Sequence, residues 1–178
     1  QTQDHPQFKT YAEELKWLTT DKVRMAWVAK TIKDISTSGN TLILVDRISA
    51  GQILQEQLKD SVFVSGSTKN IDRKEQYDEV STATNKIIIA TYGVASVGIN
   101  IPRIFNLVLI EPGKSFVRVI QSIGRGIRKA EDKENVQIWD ITSSCKFAKR
   151  HLGARKKFYK EANYPYNIEK VNYENPYT

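Results

Sequence analysis

Five short, mostly apolar runs recur along the chain: Leu42–Val45, Val62–Val64, Ile87–Ala90, Leu107–Ile110 and Val136–Ile141. A run without a polar face cannot lie against water, so it belongs to a strand covered on both sides. Helical patterns separate the runs. Ile53, Leu54 and Leu58 follow Ser49-Ala-Gly-Gln52, which resembles a capping box. Ser67–Asn70 can cap a helix reaching about Val80, and Phe116, Ile120 and Ile123 line another between Ser115 and Gly124. Strand alternating with helix predicts an open α/β fold, a parallel sheet with helices on both faces. In such sheets ligands gather beyond the carboxyl ends of the strands. Those ends are Asp46-Arg47, Ser65-Gly66, Thr91-Tyr92-Gly93, Glu111-Pro112 and Thr142-Ser143.

Two helical patterns precede the first strand. Phe8, Tyr11, Leu15 and Leu18 share one spacing, and Met25, Val28, Ile32 and Ile35 share another that stops at Ser38-Gly39-Asn40. Thr19, Thr20 and Asp21 supply cap chemistry between them. The division expected is a helical appendage over 1–19, the α/β domain over 20–162 and an extended tail over 163–178. The chain opens on Gln1, and its only methionine is Met25. We read it as a piece of a longer protein.

The net charge of +7 and the pI of about 9.4 favour a polyanionic partner. The excess concentrates in Lys146, Lys149, Arg150, Arg155, Lys156, Lys157 and Lys160, with Phe147, Phe158 and Tyr159 interleaved and no acid among them. This segment either tracks a phosphate backbone or forms a helix whose stripe Ala148–Leu152–Tyr159 packs inward while the charges face water. No eighteen-residue apolar run indicates a membrane span. The one cysteine, Cys145, cannot form an internal disulfide, which suits an intracellular, cytoplasmic setting, a host cytoplasm if the source is viral.

Gly113-Lys114-Ser115 follows a strand and opens a helix, as a phosphate loop does. The first glycine of that loop would fall at Val108, inside a strand, and Pro112 lacks the N–H that a phosphate cradle uses. No acidic box for magnesium is present, and no residue of this chain is assigned as a metal ligand. The chain by itself is therefore not expected to be a complete ATPase.

The motif with most chemical content is Gln121-Ser-Ile-Gly124-Arg125-Gly126-Ile-Arg128. Arginines three apart on a helical turn share one face. Their guanidinium forks stay charged and grip phosphate oxygens in pairs. Gly124 and Gly126 keep bulk away. Upstream, Thr91, Tyr92 and Gly93 present a hydroxyl and bare amides suited to a nucleic-acid phosphate. Gly98 and Asn100, ahead of Pro102, are placed to face a ribose, and Ser65-Gly66-Ser67-Thr68-Lys69 opens a helix as an anion site can. The plain alternative for each of these loops is local capping of the backbone.

Taken together, Leu42–Arg47, Ser65–Arg73, Ala90–Pro102 and Gln121–Arg128 resemble motifs IV through VI of the second motor domain of superfamily-two helicases, in order and spacing over about residues 22–142. The wording of Glu111–Lys129 resembles the phage recombination helicases. The resemblance implies a RecA-like lobe that meets a first lobe carrying the phosphate loop. ATP would bind between them, with Mg2+ held on the first lobe. It implies that Arg125, Arg128 and Gln121 act on the nucleotide as catalytic groups. Gly98, Asn100 and Gly124 would bind the nucleotide. Arg47, Ser65, Gly66, Thr68, Lys69, Thr91, Tyr92 and Gly93 would hold DNA, branched or single-stranded. Asn100 departs from the aspartate many members carry, and Gln121 stands where DEAD-box RNA helicases have histidine. Other readings are a nucleic-acid-binding module without motor action and the motor lobe of an RNA helicase or of a restriction or repair translocase. A small-molecule enzyme would need a glycine-rich loop after the first strand, where only Gly51 lies nearby.

Overall fold

The computed structural model describes residues 6–66, 72–76, 79, 84–96, 104–113, 116–126 and 136–171, with backbone alone for 123–126. Two helices, α1 (Tyr11–Thr20) and α2 (Lys22–Ser36), lead into β1 (Thr41–Val45), α3 (Ile48–Gln57) and β2 (Val62–Val64). Then come β3 (Ile87–Thr91), the short α4 (Tyr92–Ser96), β4 (Asn106–Ile110), α5 (Phe116–Gly126), β5 (Gln137–Ile141) and α6 (Lys146–Glu161). The strands form one five-stranded sheet in the order β2-β3-β1-β4-β5, with every pairing parallel.

Alternate residues of the apolar runs go to opposite faces, and both faces are covered. Leu42, Leu44, Ile88, Ala90, Leu107 and Leu109 meet Val94 and Ala95 of α4, Phe116, Val119 and Ile120 of α5, and Tyr159 of α6. Ile43, Val45, Ile89, Val108 and Ile110 meet Met25, Val28, Ala29, Ile32 and Ile35 of α2 and Ala50 and Leu54 of α3. Val45 accordingly has no exposed surface although no polar residue alternates with it in β1. This sandwich explains why the runs are apolar throughout.

Local chemistry sets the helix ends. Thr10 accepts a hydrogen bond from the Glu13 N–H at 3.2 Å, and Asp21 accepts from the Arg24 N–H at 2.9 Å, capping α1 and α2. At the end of α2, Gly39 has φ +150°, and a Cβ there would come within 2.8 Å of the Phe105 ring. Asn163, at φ 59°, ends α6. Ser49 does not cap α3. Arg47 occupies the N-cap in extended conformation without a side-chain bond, and the helix already begins at Ile48. Ser49 thus lies inside the first turn, where helical backbone angles deny it the cap geometry.

The N-terminal helix is tied to the sheet domain by more than its chain connection. The Glu14 carboxylate accepts from the Phe147 and Ala148 amides at 2.9 and 3.1 Å. An acid 133 residues earlier in sequence thereby satisfies orphan N–H groups at the start of α6. Leu18, Cys145 and Ala148 close a small apolar cluster behind it, with Phe8 and Trp17 packed against them. Beyond α6, the Tyr164 and Tyr166 rings lie 6.1 and 5.8 Å from those of Phe158 and Tyr159.

Gly51 shows how closely α3 approaches the sheet. A Cβ at this position would fall 2.1 Å from the Phe63 ring on β2. Gly51→Ala is expected to cost about 1–3 kcal/mol of stability through overpacking. Urea denaturation of the variant, and its recovery in Gly51→Ala/Phe63→Leu, checks this.

Candidate nucleotide and nucleic-acid face

Two buried arginines fix the carboxyl ends of β4 and β5. Arg24 of α2, with no exposed surface, pairs with Glu111 and donates to the Leu18 carbonyl at 3.0 Å. Glu111 adopts φ 45°, unusual for a residue with a side chain. It accepts a further bond from the Thr142 hydroxyl at 3.1 Å, while its N–H donates to the Ile141 carbonyl at 2.9 Å. Burial pushes the Glu111 carboxyl above its ordinary value, a shift that Arg24 and the Thr142 bond oppose. Arg155 of α6, 2% exposed, donates to the Asp140 carboxylate through Nε and Nη2 at 2.6 and 2.9 Å and to the Pro112 carbonyl through Nη1 at 2.8 Å. The Tyr159 hydroxyl donates to the same Asp140 at 2.8 Å, and burial raises that phenol well above its usual range. Residues 111–113, the turn that launches α5, are thus gripped from α2 on one side and α6 on the other.

This overturns part of the sequence expectation for the basic segment. Arg155 does not face water. It occupies the same inward stripe as Ala148 and Tyr159, and Leu152 on that stripe is only half-buried. Phe158 and Tyr159 pack edge-on to Phe116, at 5.3 and 5.4 Å between centroids. Their role here is core packing. Lys149, Arg150, Lys157 and Lys160 remain exposed.

Helix α5 turns Phe116, Val119 and Ile120 inward and leaves Gln121 exposed. The Ser122 hydroxyl donates to the Ser96 carbonyl at 3.2 Å. That bond seats the middle of α5, next to Gln121, against the last residue of α4, from which residues 97–103 continue. Gly124 and Arg125 form the final turns of α5. Gly98, Asn100, Thr68, Lys69 and Arg128 lie outside the described residues.

The remaining candidates stand at the carboxyl edge of the sheet. Arg47 is partly exposed, its Nε 3.5 Å from Asp46. Ser65 is buried and Gly66 exposed, and their carbonyls accept from the Arg73 guanidinium at 3.0 and 3.2 Å. A Cβ on Gly66 would meet nothing within 4 Å, so the space above it is open to an approaching backbone. Thr91 is 9% exposed and its hydroxyl accepts from the Val94 N–H at 3.3 Å, capping α4. The Tyr92 hydroxyl donates to the Ile110 carbonyl at 2.9 Å, and burial raises its pKa far above the ordinary value. Gly93 is exposed. Thr91 and Tyr92 hydroxyls therefore already serve the fold, whereas Arg47, Gly66 and Gly93 present themselves outward.

Sequence reading missed the Arg24–Glu111 and Arg155–Asp140 pairs. The signal was there: Arg24 falls four residues before Val28, and Arg155 four before Tyr159, each on its helix's buried stripe. Cys145, 1% exposed, has its thiol pushed up to about 11, chiefly by burial. It is expected to stay unalkylated by iodoacetamide at pH 8 in folded protein and to react once urea unfolds it. Among the described residues, no helix is long and apolar enough to cross a membrane, and no cluster of three or more His, Cys, Asp or Glu could hold a metal.

A five-stranded parallel sheet covered by helices on both faces, with α5 following β4, has the architecture of the carboxyl-terminal RecA-like lobe of helicases. The chain belongs to the helicase conserved C-terminal domain family, which it matches over residues 23–130. It is 31% identical over 155 residues to the ATP-dependent DNA helicase uvsW of Enterobacteria phage T4, covering 84% of this chain and 31% of that protein. It is 28% identical over 153 residues to a putative ATP-dependent RNA helicase, L396, of Acanthamoeba polyphaga mimivirus, covering 84% of this chain and 28% of that protein. The crystal structure of T4 UvsW superposes with a TM-score of 0.73 at 24% identity, over 86% of this chain and 35% of that one. The C-terminal domain of the DEAD-box protein Dbp5 superposes at 0.59 with 20% identity, over 90% of this chain and 86% of that one. The chain spans less than a third of the length of either relative matched by sequence.

Proposed function

We propose that this lobe is the second half of an ATP-dependent DNA motor that remodels branched DNA: forks, junctions, D-loops and R-loops. ATP and Mg2+ bind between it and a first lobe of the same protein, which supplies the phosphate loop and the magnesium ligands. Arg125 and Arg128 reach the γ-phosphate as arginine fingers. Gln121 helps place the nucleotide, with Gly98, Asn100 and Gly124 beside it. Arg47, Ser65, Gly66, Thr68, Lys69, Thr91, Tyr92 and Gly93 hold the DNA strand, Thr91 and Tyr92 through backbone groups, since their hydroxyls are engaged in the fold. Opening and closing of the cleft with hydrolysis then steps the motor along DNA. Work of this kind takes place inside a cell, on intracellular DNA.

The observation that carries this reading is the Ser122–Ser96 bond. It supports a single face on which the arginine motif of α5 and the segment after α4 act on one nucleotide. The 31% identity to a protein named as a DNA helicase supports DNA as the partner. The name of the mimivirus relative favours RNA as the second reading. The test is ATP turnover by the intact protein with branched DNA, linear single-stranded DNA and single-stranded RNA. The expected order is branched DNA strongest and RNA weakest. Stimulation by RNA alone replaces the DNA assignment, and equal turnover with and without nucleic acid removes the motor.

A further inference from the structure

A cleft of about 730 Å³ opens at the carboxyl edge of the sheet, lined by Tyr11, Asp46, Tyr92, Gly113, Phe147, Arg150 and His151. Its outer wall includes Phe147 and Arg150 of the basic segment but no residue of the helicase-like motifs. That wall is aromatic: Tyr11 from α1 stands 6.1 Å from Phe147 and 4.8 Å from His151, both edge-on. Lys146 and Arg150 lie 5.5 and 5.6 Å from the Phe147 ring, so two cations rim the rings. Asp46 also lines the cleft, exposed and 3.5 Å from the Arg47 Nε. Tyr11 is 36% exposed, a large ring left open to solvent at the start of α1.

We propose that this cleft holds a nucleobase with its flanking phosphate, an inference that rests on the nucleic-acid reading above. An exposed aromatic face such as that of Tyr11 accepts the face of any base, and the adjoining cations take the phosphate. The volume falls within the range of about 300–1,000 Å³ usual for ligand sites. Asp46 is an acceptor only. Among the bases, guanine answers it best, because its N1–H and amino group are adjacent donors. The cleft adjoins Arg47 and Thr91 at the carboxyl ends of β1 and β3, since Asp46 and Tyr92 are their chain neighbours. A base seated here would leave the stack of a strand running past those loops. The wall is built jointly by α1 and α6, so the Glu14 carboxylate that ties α1 to the start of α6 sets the spacing of its rings.

The test uses the intact protein and a twelve-nucleotide single strand carrying 5-iododeoxyuridine at its centre. After irradiation, peptide mass spectrometry is expected to find the crosslink on Tyr11, Phe147 or His151. Crosslinking of the strand but not of free 5-iododeoxyuridine monophosphate at equal concentration assigns the base to the strand, and equal crosslinking of the free nucleotide assigns the cleft to a free nucleotide. Tyr11→Ala/Phe147→Ala is expected to weaken the affinity for that ligand about tenfold or more. Asp46→Asn is expected to abolish any preference for a dT strand with one central dG over plain dT. Crosslinks only elsewhere, or unchanged affinity in the double variant, overturn the inference and leave the motor reading standing. Failure of the wild-type protein to bind any nucleic acid removes the motor reading itself. The crosslink is read on wild-type protein, so it decides the matter even if the double variant fails to fold.

Discussion

Arg128→Ala in the intact protein is expected to lower ATP turnover by about a thousandfold or more, with ATP and DNA affinities changed only a few-fold. The reason is where the charge develops. As the bond to the leaving oxygen breaks, its electron pair passes to that bridging oxygen while charge stays spread over the three equatorial oxygens of the γ-phosphoryl group, and a guanidinium held there stabilises that state more than bound ATP. Arg128→Lys is expected to recover little, because a lysine ammonium is a point charge and cannot form the paired hydrogen bonds of the fork. Single-turnover hydrolysis separates the chemical step from binding. Unchanged hydrolysis with weakened DNA affinity would place Arg128 on the nucleic acid instead.

The largest stability effect is expected at Arg155. Arg155→Ala strips Asp140 of both its guanidinium bonds and leaves the Pro112 carbonyl without its donor, at a position only 2% exposed. Removing one partner of a buried pair typically costs about 3–5 kcal/mol, and the lower end is expected here because Asp140 keeps the Tyr159 hydroxyl bond and its side chain is 15% exposed. Equilibrium urea denaturation measures the loss. Arg155→Met/Asp140→Leu is expected to be less destabilised than Arg155→Ala, since an apolar pair of similar bulk leaves no orphaned charge. A loss below about 1 kcal/mol in Arg155→Ala would mean that the pair is screened as an exposed one is.

The fold was legible because its strongest signal is physical necessity: runs such as Thr41–Val45 and Asn106–Ile110, buried at every position, can only be covered on both faces. The termini of β1, β3 and β4 lie within one residue of the apolar runs that mark them. Cap chemistry was legible where the side chain precedes the helix, as at Asp21, and misleading at Ser49, where the backbone at Ile48 had already turned helical. The buried arginines were harder to read, since charge argues for water unless the partner is known. Glu111 is 87 residues from Arg24, and nothing local announces the pair. The cap on α6 is likewise supplied from α1, beyond any local window. Motif spacing marked Gln121–Arg128. The Thr91 hydroxyl takes the local capping role that was the plain alternative for its loop, whereas the engagement of the Tyr92 hydroxyl emerged only from a tertiary contact.

The central claim is that this lobe completes a nucleotide site it cannot form by itself. ATP hydrolysis should therefore be measured side by side for the purified 178-residue chain and the intact protein, at equal concentration and with the same branched DNA. DNA-stimulated turnover is expected from the intact protein and none above background from the chain alone, with circular dichroism showing the chain folded. DNA-stimulated turnover by the chain alone would contradict the claim.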